Sequence, residues 1–159
     1  LTLARIAIAT YSHLHCKEIR MATSGIPLWP WAGSPPKLLP VAEKAILLAW
    51  RNTSTPNEAP ARVTEAAEAL GQIANPMADL SLHFGIAEDP AVSFREAKFL
   101  TACALAQRGQ ALPAKALLLK LLPCGLAQAS LQAALMLGQE MRQVGLYLRH
   151  PWGRRRPRR

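Results

Sequence analysis

The sequence predicts an all-α protein of antiparallel, repeat-like helical hairpins with an irregular basic C-terminal tail. Three observations carry this. Half of the 159 residues are hydrophobic, and the apolar share is mostly Leu and Ala, which propagate helices cheaply, with few of the β-branched and aromatic residues that strands favour. Apolar residues recur at helical spacing. Gly and Pro punctuate the chain at helix-length intervals. The length fits one domain. The expected organisation is a helical body over residues 1–149, containing a Pro/Trp-rich loop at 27–40, followed by a tail at 150–159.

A first helix is expected from Leu1 to about Thr23, with Leu3, Ile6, Ala7, Leu14 and Ile19 on its apolar side and Gly25 as its stop. The run from Pro27 to Pro36 holds four prolines and reads as an extended loop. Its tryptophans, Trp29 and Trp31, are expected either to cross the protein's own core or to dock onto a partner. Pro40 suits a first helical turn, and a helix continues over Val41–Arg51. Residues 52–60 form a polar linker. Pro60 opens the clearest amphipathic helix, with Val63, Ala66, Ala67, Leu70 and Ile73 inward and Arg62, Glu65, Glu68 and Gln72 outward; Asn75-Pro76 ends it. A short helical turn is expected over Met77–Phe84.

Asp89-Pro90 is the expected start of the next helix, an N-cap acid followed by Pro at the first helical position, with Gly109 as its stop. Pro113 is expected to open a short apolar helix ending at Pro123. A last helix is expected from about Leu126 to Val144, tolerating Gly138 and stopping at Gly145. The short connections predict antiparallel neighbours, with the short middle helix sandwiched between the other two.

The net charge of +9 is unevenly spread. Residues 97–159 carry eleven Lys/Arg and a single acid, Glu140, whereas residues 37–96 carry five Lys/Arg and eight acids. A cationic end recruits polyanions: nucleic acid, anionic lipid or an acidic protein face. Three widely spaced cysteines, Cys16, Cys103 and Cys124, are not a disulfide framework and suit a reducing compartment. The most apolar stretch, Ala111 to Ala127, is broken by Pro113, Lys115, Lys120 and Pro123, so no transmembrane helix is expected. The chain begins at Leu1 rather than Met, and Arg5, Lys17 and Arg20 against one acid suit a targeting region.

The sharpest candidate site is the tail. Arg154, Arg155, Arg156, Arg158 and Arg159 place five guanidiniums in six residues, each able to pair with a phosphate. Trp152 beside them suits stacking on a base. The plainer account is a solvated tail, or a targeting or import signal. Arg142 and Arg149 extend the cationic set toward the last helix. That helix also carries Gln128, Gln132, Gln139 and Gln143 within about a third of its circumference, either a hydrogen-bonding strip against RNA or simply a solvated face. His13, His15 and Cys16 lie close in sequence but lack a matching ligand pair, so no metal and no cofactor are expected. Cys103 sits on an apolar face as a core thiol. There is no Gly-rich phosphate loop after a strand and no Ser-His-Asp set, so the expectation is a non-enzymatic protein.

Ala104-Leu105-Ala106-Gln107-Arg108-Gly109, followed by Ala114, Leu117 and Gly125-Leu126, resembles a pentatricopeptide-type helical hairpin. That family's repeat has an Ala-Leu pair before a Gly turn and small or Leu positions in its second helix. Met21 to Pro27 is similar to the exit of such a repeat. The resemblance covers about 38 residues, Asp89–Leu126, and implies stacked hairpins in an organellar RNA setting. Aligned on Gly109, the family's polar base-reading positions fall near Phe99 and Leu100, which are apolar. The resemblance therefore implies architecture rather than base reading.

Together these features point to a structural, RNA-contacting subunit of a large ribonucleoprotein, with an organellar ribosome as the concrete case. Its partners would be rRNA backbone and neighbouring protein subunits, and its place the mitochondrial matrix rather than the plastid. The alternative is an accessory subunit of a membrane-bound respiratory or photosynthetic complex, its tail on anionic lipid or acidic subunits and Trp29 and Trp31 at the membrane interface. A free-standing helical adaptor is a third possibility.

Overall fold

The computed structural model describes residues 31–51, 57–74 and 91–151. They form five α-helices and one 3-10 turn, with no strand among the described residues. The 3-10 turn is Pro36–Leu38; the helices are α1 (Val41–Trp50), α2 (Ala61–Ala74), α3 (Phe94–Gln107), α4 (Ala111–Leu121) and α5 (Cys124–Gln143). The expected first helix and the Met77–Phe84 turn lie outside the described residues.

Local chemistry explains the boundaries. Ser93 caps α3 in a capping box: its side chain accepts from the Glu96 N–H, and the Glu96 carboxylate accepts from the Ser93 N–H. The helix therefore starts at Phe94, not after Asp89-Pro90 as expected, because the reciprocal Ser-x-x-Glu pair satisfies two free N–H groups. Two helices end in matching Schellman turns. After α3, Gly109 has φ of 74°, with its N–H donating to Ala106 O and the Gln110 N–H to Leu105 O. After α5, Gly145 has φ of 72°, with its N–H donating to Arg142 O and the Leu146 N–H to Met141 O. α4 begins at Ala111, two residues before the expected Pro113, since a proline is tolerated in a first turn whose N–H groups have no helical partner. Leu122, before Pro123, is extended at φ −129° and ψ 151°, which separates α4 from α5.

α5 is the hub. Its most extensive packing is on α2, and it also packs on α3 and α4; α3 packs on α4 and α1 on α2. α2 turns Val63, Ala67, Leu70, Gly71 and Ala74 inward and leaves Arg62, Glu65, Glu68 and Gln72 exposed, as its apolar periodicity predicts. The short middle helix meets both neighbours as expected but is not enclosed by them: α4 packs on α3 and α5, yet buries only Ala114, Leu117 and Leu118 and leaves Leu112 73% exposed. The enclosed helix is α3, buried over most of its length from Glu96 to Gln107. Alternating Ala with Leu and Phe lets neighbours approach it from several sides.

Two contacts lock the bundle. Trp50, the last residue of α1, donates from Nε1 to Ala67 O at 3.1 Å and meets Phe99 edge to face at 4.9 Å. Its ring lies on Gly71, where an added Cβ would fall 3.0 Å from Trp50 Cδ1. Beside it, Arg51 and Glu96 form a buried two-pronged ion pair, Nε to Oε1 at 2.8 Å and Nη2 to Oε2 at 2.9 Å, with side chains 1% and 0% exposed. Arg51 Nη2 also donates to Ala91 O. Burial of two charges is tolerated because hydrogen bonds compensate their desolvation.

Trp31 lies in the protein's own core at 1% exposure. The main chain after it is pinned to the entry of α3, Gly33 N–H donating to Val92 O and Val92 N–H to Ser34 O, both at 2.9 Å. This corrects the docking role considered for Trp31: its indole is spent on internal packing. Trp29 lies outside the described residues.

Arg51→Ala should lower stability by about 3–5 kcal/mol by stranding Glu96. Arg51→Met with Glu96→Met should recover much of that loss but not all, because Ser93 N–H and Ala91 O lose partners; denaturant titration of the variants measures both. Gly138→Ala should destabilise by about 1–3 kcal/mol despite its better helix propensity, since the new Cβ would fall 2.7 Å from Gln107 Cα, a backbone atom that cannot swing away.

Candidate nucleic-acid interface

The described cationic residues of the expected interface gather where α3 and α5 both end. Gly138 lets the backbone of α5 close on Gln107, the last residue of α3. One turn later Arg142 Nη1 donates to Gln107 O. Arg108 Nη1 donates to Ala104 O at 2.7 Å. Two helix C-termini, each carrying partial negative charge, thus share one end of the bundle, and two arginines donate to carbonyls of the last turn of α3.

The chain leaving Gly145 folds back over this end as a strap. Its backbone is recognised by side chains. Gln107 Nε2 donates to Leu146 O and Gln107 Oε1 accepts from the Leu148 N–H, both at 2.8 Å. Arg108 Nη2 donates to Leu148 O at 2.6 Å. Glu43, in the first turn of α1, accepts the Arg149 N–H on Oε1 at 2.7 Å. The Gln107 amide serves the strap as a neighbouring strand would, offering a donor and an acceptor to residues two apart.

Glu43 is buried, and its Oε2 has no hydrogen-bond partner among the described residues. Burial holds the Arg108 guanidinium below its ordinary pKa, with the Glu43 carboxylate acting in the opposite sense; an arginine stays charged regardless. Leu148 and Pro151 are buried, so the packed body continues past the expected boundary at residue 149. Arg142 and Arg149 are exposed. Trp152, Arg154, Arg155, Arg156, Arg158 and Arg159 lie outside the described residues, but the chain reaches them from an anchored root.

The remaining candidates separate clearly. Gln128, Gln132, Gln139 and Gln143 are all exposed along α5. Cys103 is a free thiol whose pKa burial raises, leaving almost no thiolate. Cys124 is disulfide-bonded, a departure from the absence of disulfides expected from an odd, widely spaced set. His13, His15 and Cys16 lie outside the described residues; among those described, no three His, Cys, Asp or Glu side chains converge as a metal site. A recess lined by Val41, Lys44, Ala45, Leu48, Asn57 and Glu58 has room for about 10 Å³, far short of the roughly 300 Å³ of a small-molecule site. No described helix is long and apolar enough to cross a membrane.

Sequence reasoning missed Gln107, Arg108 and Glu43. Nothing local marks them, since each acts on residues 39 to 106 positions away. No family model, curated protein or solved structure matches this chain.

Gln107→Leu keeps the bulk and removes both amide contacts. It should speed hydrogen exchange of the Leu148 amide by about tenfold or more, the equivalent of roughly 1–3 kcal/mol, while α2 amides keep their wild-type protection; site-resolved exchange by NMR checks this.

Proposed function

We propose that this protein is a non-enzymatic, RNA-contacting structural subunit of a ribonucleoprotein assembly, with an organellar ribosome as the concrete setting. The observation that carries the proposal is the anchored root of the arginine run. Four side-chain hydrogen bonds and two buried residues hold 146–151 against the bundle, and the next eight residues contain five arginines. A cationic segment that starts from a fixed point delivers its charges to one place. Such contacts neutralise phosphates without reading sequence.

The charge distribution supports the same conclusion, with only Glu140 to oppose eleven Lys/Arg beyond residue 96. α3, the Gly109 turn and α4 supply the hairpin that resembles the pentatricopeptide type. Phe99 and Leu100 are fully buried, which supports backbone contact in place of base reading. The exposed faces of α2 and α5 would meet neighbouring subunits.

Replacing Arg154, Arg155, Arg156, Arg158 and Arg159 by Ser in the full chain should weaken binding to single-stranded RNA and flatten its salt dependence. The slope of log K against log salt should fall by about 3 to 4, near 0.7 per lost phosphate contact. Unchanged affinity and slope in a filter-binding series across salt would remove the basis for the proposal.

A further inference from the structure

The strap alternates in exposure. Leu146 is half-buried, Tyr147 is 63% exposed, Leu148 is buried and Arg149 is exposed. The inward residues and the backbone make the contacts that hold the strap. Among the described residues, no hydrogen bond or ring contact engages the phenol of Tyr147. An aromatic ring is thus held out to solvent on one of the most firmly tied non-helical segments described.

Its surroundings are cationic. Arg149 lies two residues on, about 7 Å along an extended chain, on the same side of the strap as judged by exposure. Arg142 sits at the end of α5, tethered by one nitrogen to Gln107 O. Of the acids near this end, Glu43 is buried and already accepts the Arg149 N–H, and Glu140 stands on α5 two residues before Arg142. Exposed guanidiniums on the strap and at the end of α5, together with an open aromatic face, match a nucleotide chain, whose phosphates meet the cations while an unpaired base stacks on the ring.

We propose that Tyr147 is a base-stacking residue for single-stranded RNA, with Arg149, two residues on along the strap, and Arg142, at the end of α5, as the phosphate contacts. The proposal rests on the RNA-contacting function above and adds to it a subsite and a substrate class. The clamp makes the platform effective. Because Gln107, Arg108 and Glu43 already order the backbone, binding a base restricts only the two side-chain torsions of the tyrosine. Duplex RNA, whose bases are already stacked on one another, offers no free face. The subsite therefore discriminates by strandedness and not by sequence.

The test uses the full chain and three ligands: an oligouridylate of about 15 nucleotides, a blunt RNA duplex of equal length, and phosphatidylserine-containing vesicles. Tyr147→Ala and Tyr147→Leu should weaken oligouridylate binding by about 5- to 100-fold, while Tyr147→Phe stays within about twofold of wild type. The salt slope should not change, because no charge is removed, and affinity for the duplex should be unaltered. Wild-type affinity of Tyr147→Ala for oligouridylate overturns the proposal, as does an equal loss on duplex. A loss confined to vesicles overturns it in favour of a lipid surface. If the wild-type chain binds no RNA, both this proposal and the function it rests on fail; if binding depends on the five tail arginines but not on Tyr147, this proposal fails alone.

Discussion

At Gly138 the backbone of α5 closes on the last residue of α3, so near that a methyl group would fall 2.7 Å from Gln107 Cα. This approach places two helix C-termini side by side, each ending in a glycine Schellman turn. Like partial charges at one end repel, and cations are the remedy. Arg108 and Arg142 supply them by donating to carbonyls of the last turn of α3. The basic character of this end begins as a structural requirement, and the surface it presents follows from that. Gln107, held at the contact, then has its amide free to receive the strap.

The bundle handles charge in two ways. Where α1 ends and α3 begins, Arg51 and Glu96 are sealed in with nearly no exposure. Each is satisfied by the other and by nearby backbone, a geometry that ties α1 to α3 and keeps water out. Trp50 alongside joins α1, α2 and α3 through one hydrogen bond and one ring contact. Where α3 and α5 end, the guanidiniums are only partly engaged and Arg142 and Arg149 remain exposed.

Much of the fold was legible. The inward stripe of α2 follows from apolar spacing alone, and Gly109 and Gly145 mark their helix ends because an L side chain resists positive φ there. The misplacements have particular causes. Asp89-Pro90 is a genuine start signal, but Ser93 and Glu96 form a reciprocal cap four residues later, and the stronger local pattern prevails. Pro113 signals the opening of a helix that starts two residues earlier, at Ala111, because a first turn does not need the proline's missing N–H. α4 is apolar on most sides yet half-exposed, while α3 is enclosed; composition shows how apolar a helix is, not how many neighbours surround it.

For the candidate interface the division falls between near and distant residues. Helical class, the positions of breaks and the gathering of arginine near the C-terminus all follow from neighbours a few residues apart, and such short-range chemistry can be read along a chain. The recognition of the strap by Gln107, Arg108 and Glu43 joins residues 39 to 106 positions apart, and the burial of Trp31 likewise depends on what packs around it. Those contacts exist because helices approach closely at Gly138 and Gly71, and interhelix distance is a property of the packed body that no local pattern records.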